Sequence, residues 1–195
     1  MKRVINLSLL ICVILFSTAV KAADFLSVRI ENSSTINVSL SNISKGQKLY
    51  LKDYTGTILF NATLKAMPSY RKYFNFNSVA DGIYFVETET EFDVKVTPVL
   101  KNSKGIALIE DSSITIFKPK VLVQNSLVKV MLTRSKKSPL SISISDENGE
   151  TLLTEKVEEE NLIFERLYKF SEVPSGRYII SFDLGDRSFT KEVNM

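Results

Sequence analysis

Three acids, Glu87, Glu89 and Asp93, lie close together after the apolar stretch 82–86 and are the residues best placed for chemistry in this sequence. Two carboxyl groups held at a fixed separation can hydrolyse a glycosidic bond. The second half of the chain lacks this set, and a strand here would turn the acids toward solvent. A carboxylate-only hydrolase is therefore the minor alternative, and we expect no enzymatic activity.

Four further aspartates lie near predicted loop tips, where calcium is often bound: Asp53, Asp146, Asp183 and Asp186. A calcium loop carries closely spaced Asp or Asn ligands, and this spacing is missing here. Asp53 instead opens "DYTG" and Asp146 opens "DENG". An Asp that accepts backbone N–H groups, followed by Gly56 or Gly149 with positive φ, is typical of a tight turn between two strands. We predict structural turns here, with no metal and no cofactor.

The composition excludes several other kinds of active site. The 195 residues contain no His and a single Cys, Cys12. A histidine general base, a Ser–His or Cys–His pair and a His or Cys metal site are therefore excluded.

The N-terminus has the pattern of a signal peptide. Lys2 and Arg3 precede the apolar stretch 6–16, which is shorter than the roughly 20 residues needed to span a bilayer. We predict cleavage after Ala22, with an uncleaved N-terminal anchor as the alternative. The mature chain is then not an integral membrane protein, and we expect it in the periplasm, secreted or at the cell surface.

Cleavage also changes the charge balance. Residues 1–22 hold three cations and no acid, so the formal net charge of +3 falls to zero. The sequence pI of about 8.8 is therefore no argument for a nucleic-acid partner, and we predict none.

Hydrophobic periodicity predicts an all-β protein. The segment 36–40, "INVSL", alternates strictly, as does 141–145, "SISIS", and Gly or Pro interrupts the chain at short intervals. The one helix-like stretch is 151–170. We interpret it as two strands joined by a charged hairpin loop at Glu158–Glu160, because its counterpart 70–79 has the pattern of a strand.

The chain contains two copies of one unit, offset by 92 to 94 residues. The offset relates Val38 to Val130, the two Asp–Gly turns to each other, and Phe76 to Phe170. We predict two tandem Ig-like antiparallel β-sandwich modules after the signal peptide: residues 1–22 signal peptide, 23–98 module 1, 99–113 linker and 114–195 module 2.

Each copy also repeats a Gly and a Tyr before its last strands. Gly82 precedes Tyr84 in "ADGIYFV", and Gly176 precedes Tyr178 in "PSGRYII". We predict that both glycines adopt a left-handed or other glycine-only conformation. Both tyrosine rings should pack between the sheets, with each hydroxyl bonded near the rim.

The second copy, with its alternating strand, "DENG" turn and "VPSGRY" segment, resembles the C-terminal sorting domain of type IX secretion cargo in Bacteroidota, and the first copy resembles it more loosely. The resemblance implies an Ig-like sandwich, an exported bacterial protein and, as an alternative function, a secretion sorting signal in module 2.

One surface patch is a candidate ligand site. The segment "YRKYFNF" interleaves cations and aromatic rings, and Tyr70, Arg71 and Tyr73 could contact a glycan or a peptide. Free edge strands of the sandwiches could also pair two copies into a dimer. We expect a non-enzymatic binding or structural module of the bacterial cell envelope, with an envelope protein or a glycan as its partner.

Overall fold

A computed structural model describes residues 25–109, 111–134, 138–158 and 161–195. The predicted signal peptide, with its cleavage site, lies outside these residues, as do Glu159 and Glu160. The described residues form sixteen antiparallel strands: β1 Phe25–Asn32, β2 Thr35–Ile43, β3 Lys48–Asp53, β4 Ile58–Thr63, β5 Met67–Asn75, β6 Gly82–Glu89, β7 Asp93–Asn102, β8 Gly105–Leu108, β9 Ile114–Phe117, β10 Lys120–Gln124, β11 Leu127–Thr133, β12 Leu140–Asp146, β13 Thr151–Val157, β14 Ile163–Lys169, β15 Arg177–Leu184 and β16 Arg187–Asn194.

The strands form two sandwiches with the same topology. In module 1 the sheet β1-β2-β5 faces the sheet β4-β3-β6-β7, which β8 and β9 extend at β7. In module 2 the sheet β10-β11-β14 faces the sheet β13-β12-β15-β16. The prediction of two tandem Ig-like sandwiches is confirmed. The fourth strand of each module pairs with the third, whereas in immunoglobulin constant domains it joins the sheet of the first two strands.

Each module has its own apolar core between its sheets. Alternate residues of β2 and β11 fill the centre, because one face of each strand turns inward. Val38 and Val130 are fully buried at matching positions. The two cores differ at one position of the matching strands β6 and β15. This position is Thr88 in module 1 and Phe182 in module 2. Both residues are fully buried.

The predicted linker is part of the first sandwich. Strand β7 passes through residue 98, and residues 99–113 contain the end of β7 and all of β8. Val99 is fully buried in the core of module 1, which explains why this stretch does not form a separate connector. Strand β9, predicted to begin module 2, pairs with residues 93–96 of β7. By strand pairing, residues 25–117 belong to module 1 and residues 120–194 to module 2.

The helix-like segment 151–170 contains two strands, as predicted, but they do not form a hairpin. Strand β13 pairs with β12 and strand β14 pairs with β11, so the two strands belong to different sheets. The reason is the inward face of β14, where Phe164 closes the core from the opposite side.

Candidate functional site

The predicted turns at Asp53 and Asp146 close the hairpins β3–β4 and β12–β13. Asp53 Oδ1 accepts the backbone N–H groups of Thr55 and Thr57 at 2.9 and 3.0 Å. Asp146 Oδ1 accepts those of Asn148 and Glu150 at 2.9 and 2.8 Å. Gly56 and Gly149 have φ values of +88° and +82°.

These hydrogen bonds stabilise the ionised carboxylates. The hydroxyl of Thr55 contributes most to lowering the pKa of Asp53, and the backbone N–H of Glu150 contributes most to lowering the pKa of Asp146. Asp183 accepts the hydroxyl of Ser188 at 2.6 Å. Among the described residues no three His, Cys, Asp or Glu side chains are grouped so that they could hold a metal ion.

Tyr84 and Tyr178 form a tyrosine corner in each module. The hydroxyl of Tyr84 donates to the carbonyl of Ala80 and that of Tyr178 to the carbonyl of Pro174, both at 2.6 Å. The Tyr84 ring meets Phe76 edge-to-face with 5.1 Å between ring centres, and Tyr178 meets Phe170 at 5.2 Å. The corner therefore closes each module at the end of its core.

The expectation of a glycine-only conformation at Gly82 and Gly176 is wrong. Neither residue has a positive φ, and a Cβ added at either would meet no atom within 4 Å. The tyrosine hydroxyl fixes the corner instead. The backbone of Gly176 exchanges two hydrogen bonds with Met195, at 2.9 and 3.0 Å, which ties the corner of module 2 to the end of β16.

The candidate ligand patch divides between two faces of β5. Arg71 and Tyr73 lie on the outer face of the sheet β1-β2-β5, which is turned away from the core, and Tyr73 is 49% exposed. Tyr70 belongs to the opposite face and packs against the core. The grouping of Tyr70 with Arg71 and Tyr73 is therefore wrong, because side chains three positions apart on a strand face opposite ways.

Small polar side chains surround Arg71 and Tyr73. Strand register places Tyr73 beside Asn37 and then Arg29, and Arg71 beside Ser39 and then Ser27. The hydroxyl of Ser39 donates to Asn37 at 3.2 Å. We call this surface, made of Ser27, Arg29, Asn37, Ser39, Arg71 and Tyr73, the polar face of module 1.

An ion cluster centred on the buried Glu87 joins the two modules. Glu87, on the outer face of β6, is 3% exposed. Its carboxylate accepts hydrogen bonds from Lys52 Nζ at 2.6 Å and from Arg187 Nη2 at 2.5 Å. Arg187 belongs to β16 of module 2. Nearby, Lys118 reaches Glu89 at 2.7 Å, and Ile116 of β9 packs against the core of module 2.

The cluster keeps both glutamates ionised. Burial raises the pKa of Glu87, but the hydrogen bonds and charges of Arg187 and Lys52 outweigh it and bring the pKa below its usual range. Burial also raises the pKa of Glu89, but the hydrogen bond and charge of Lys118 outweigh burial, so the pKa of Glu89 is lowered as well. A glycosidase pair needs one carboxyl group held protonated. Glu87 and Glu89 are each engaged in ion pairs instead, Glu87 with Lys52 and Arg187 and Glu89 with Lys118.

The third acid of that set is engaged elsewhere. Asp93 accepts the hydroxyl of Thr90 at 2.6 Å within the β6–β7 turn, and Lys95 lies 3.9 Å away. The sequence analysis singled out Glu87 as a possible hydrolase acid and missed its cationic partners Lys52 and Arg187. The sequence feature that could have revealed these partners is the acid itself. A carboxylate between Val86 and Thr88 in an apolar strand needs a cationic partner if another part of the protein buries it.

A cleft opens at the end of module 1 near this cluster. Its volume is about 340 Å³, and Lys45, Lys48, Glu91, Phe92 and Lys118 are among the residues that line it. The β2–β3 and β6–β7 loops that form it correspond to loops that bind antigen in antibody variable domains. In the described part of the chain, no helix has the length and apolarity to cross a membrane.

No protein-family model matches the chain, and no curated protein sequence matches it. Among solved structures, the chain is similar to a two-domain fibronectin type III segment of chicken tenascin, with 11% identity, a TM-score of 0.33, and coverage of 89% of this chain and all of the segment. A tetra-tandem repeat from the extending region of a large adhesion protein is 17% identical with a TM-score of 0.27, over 89% of this chain and 49% of that one. The BSP domain of a biofilm-associated protein is 10% identical with a TM-score of 0.30, over 87% and 29%.

Proposed function

We propose that this chain is an exported, non-catalytic binding protein of the bacterial cell envelope, and that the polar face of module 1 binds a glycan. The observation that carries the proposal is the face itself: Tyr73 is half exposed beside two arginines and a row of Ser and Asn side chains. An exposed aromatic ring can stack on a sugar, and short hydroxyl and amide side chains leave space for the sugar while hydrogen bonding to its hydroxyls.

Module 2 provides the contrast that makes this face specific. At the position of Tyr73 it has Leu167, and at the positions of Arg71 and Ser39 it has Glu165 and Met131. The shared fold therefore does not require an aromatic ring or an arginine on this face. A peptide that binds a sheet pairs with an edge strand through backbone hydrogen bonds. The side chains of the polar face instead project from the surface of the sheet, where they can contact a sugar ring.

The test measures retention of the mature chain on purified envelope polysaccharide. Tyr73→Ala should abolish retention and Arg71→Ala should reduce it, whereas Leu167→Ala at the matching place in module 2 should leave it unchanged. Equal retention of all three variants would overturn the glycan proposal. Retention on a whole envelope extract, but not on the purified polysaccharide, that is lost when the extract is treated with protease would instead identify a protein partner.

As a second candidate function, we propose that module 2 acts as a sorting signal, which is supported by its sequence resemblance to type IX sorting domains. Deletion of the residues after Phe117 should then leave module 1 in the periplasm. Strand β9, which ends at Phe117, stays in this truncation, so the sheets of module 1 keep all their strands. Export of the truncated chain at the wild-type level would count against the proposal.

A further inference from the structure

The outer face of the sheet β10-β11-β14 in module 2 exposes aliphatic side chains among charged ones, where the same face of module 1 is polar. Leu122, Leu127, Ile163 and Leu167 point away from the core and are 46%, 38%, 72% and 59% exposed. Single exposed apolar residues are common on protein surfaces, but a contiguous group on a flat sheet marks a contact surface.

Strand register places these residues as diagonal neighbours on one face, with Lys129 between Leu122 and Leu167. One row across the sheet is Leu122, Lys129 and Leu167, and the next is Lys120, Met131 and Glu165. They are flanked by the row Gln124, Leu127 and Lys169 and by the pair Thr133 and Ile163. Lys129 Nζ lies 2.6 Å from Glu165 and links the rows. We call this surface, with Leu127 and Ile163 at its two ends, the apolar face of module 2.

We propose that a second copy of the chain covers the apolar face, so that two module 2 sheets pack face to face about a two-fold axis parallel to β11. Rotation about this axis places β10 of one copy over β14 of the other and keeps each row over its own image. Leu122 then meets Leu167, Lys120 meets Glu165, and Met131 at the centre meets itself. Each of the first two contacts occurs twice, as an isologous interface requires.

The pattern of charges selects this axis. A two-fold axis across the strands would exchange the two rows and set Lys120 against Leu122 and Met131 against Lys129. Both contacts would bury a cation against an apolar side chain, which is costly. With the axis along β11, each outward residue of β11 meets its own copy. Lys129 is the charged residue among them, and its charge is compensated by Glu165.

The size of the face predicts a weak dimer. Three strands about 4.8 Å apart and seven residues rising about 3.3 Å each give a flat footprint of roughly 300 Å². A stable interface buries about 800 Å² on each partner. We therefore expect a dimer that forms only at high protein concentration, unless further parts of the two chains join the contact.

The polar face of module 1 is the internal control. Its matching rows are Arg29, Asn37, Tyr73 and Ser27, Ser39, Arg71. The same rotation would set Arg29 over Tyr73 and Ser27 over Arg71, with no apolar contact at the centre. Module 1 should not pair in this way.

The experiment is sedimentation velocity of the chain from Ala23 onward over a wide concentration range at low salt. Lys120→Glu and Glu165→Lys should each weaken self-association at least tenfold, because each variant places like charges opposite each other in its own dimer. A mixture of the two variants should associate at least as well as wild type, because opposite charges then meet in both pairs. Arg71→Glu, on the matching face of module 1, should leave self-association unchanged, although it changes the proposed glycan site.

Two results would overturn the proposal. One is a wild-type chain that stays monomeric at every concentration, and the other is self-association that neither charge reversal weakens. Leu167→Gln adds an independent test because it makes the face polar without changing its charge, and it should also weaken association. Circular dichroism confirms that each variant is folded before its association is measured.

Discussion

The same position of the same strand carries Glu87 in module 1 and Ser181 in module 2. Glu87 is nearly fully buried because the β15–β16 hairpin of module 2 covers it, and Arg187 of that hairpin binds its carboxylate. Ser181 has no such partner among the described contacts and stays partly exposed. The difference follows from what each sheet contacts, because both strands have the same place in the fold.

The three-stranded sheets show the same rule on their outer faces. Inside, the two copies keep alternating apolar residues, a tyrosine corner and an Asp–Gly turn. Outside, one face is polar with an exposed ring and the other is apolar with paired charges. The residues that the two copies share specify the sandwich fold. The outer-face residues that differ between the copies mark the surfaces that we propose contact a partner.

The largest expected effect comes from removing Glu87. Glu87→Ala leaves Arg187 and Lys52 without their shared carboxylate at a covered site, which should cost about 3 kcal/mol. Ser181→Ala, the matched change in module 2, should cost less than about 0.5 kcal/mol. Urea unfolding of both variants measures the difference, and equal losses would show that the cluster does not couple the modules.

The cluster also predicts a pH dependence. The pKa of Glu87 in the folded chain lies below its ordinary value of 4.5, so its contribution is complete above about pH 4.5 and is lost as the pH falls through the lowered pKa. In Glu87→Gln this part of the acid dependence should be absent. Unfolding followed between pH 7 and pH 3 compares the two chains, and superimposable acid profiles would contradict the assignment.

The next effect should be equal in the two modules. Tyr84→Phe and Tyr178→Phe each remove one hydroxyl whose bond to a backbone carbonyl is 2.6 Å long. Each change should cost about 1 to 1.5 kcal/mol, because the carbonyl loses its partner while the ring packing stays. Thermal unfolding measures both, and a large inequality would show that the two corners are not equivalent.

The parts of the fold that depend on local pattern could be predicted from the sequence. Strict alternation gave the strand at 36–40, and the repeat showed that 151–170 is not a helix. Contacts between distant segments could not be predicted in this way. Periodicity carries no information about which sheet a strand joins, so β13 and β14 were wrongly expected to form a hairpin, and the pairing of residues 99–117 with the sheets of module 1 was missed.

The candidate site was predictable only in part, for the same reason. Counting along β5 places Arg71 and Tyr73 on one face and would have placed Tyr70 on the other. The Glu87–Arg187 pair joins residues 100 positions apart. The repeat offset relates each residue only to its equivalent in the other module, so it does not predict which residues of the two modules are in contact. The glycine expectation failed because a short corner can be held by the tyrosine hydroxyl without unusual backbone angles.

A smaller effect of opposite sign is expected at Thr88, the residue that replaces Phe182 in the core of module 1. Its hydroxyl is buried and has no hydrogen-bond partner among the described residues. Thr88→Val should therefore stabilise the chain by about 1 kcal/mol, because no buried polar group is left unpaired. Thr90→Val is the matched control and should destabilise, since that hydroxyl accepts the N–H of Asp93 and donates to its carboxylate.

The smallest effects are expected at the two turns. Asp53→Ala and Asp146→Ala should each lower the melting temperature slightly, because two backbone N–H groups of an exposed turn lose their acceptor and return to water. Asp→Asn at the same positions should have a weaker effect, since the amide oxygen still accepts. The pKa values of both aspartates lie below 3.8, so this stability is present above about pH 3.8 and is lost as the pH falls further.

Calcium distinguishes this turn role from metal binding. If the aspartates only accept hydrogen bonds from backbone N–H groups, millimolar calcium should leave the melting temperature of the wild-type chain unchanged. The melting temperatures of the two Asp→Ala variants should also be unchanged by calcium. A bound ion would instead raise the melting temperature of the wild type, because a ligand that binds only the folded state stabilises it. A rise that disappears in Asp146→Ala and persists in Asp53→Ala would place the ion in module 2 and make the two turns, alike in backbone geometry, different in function.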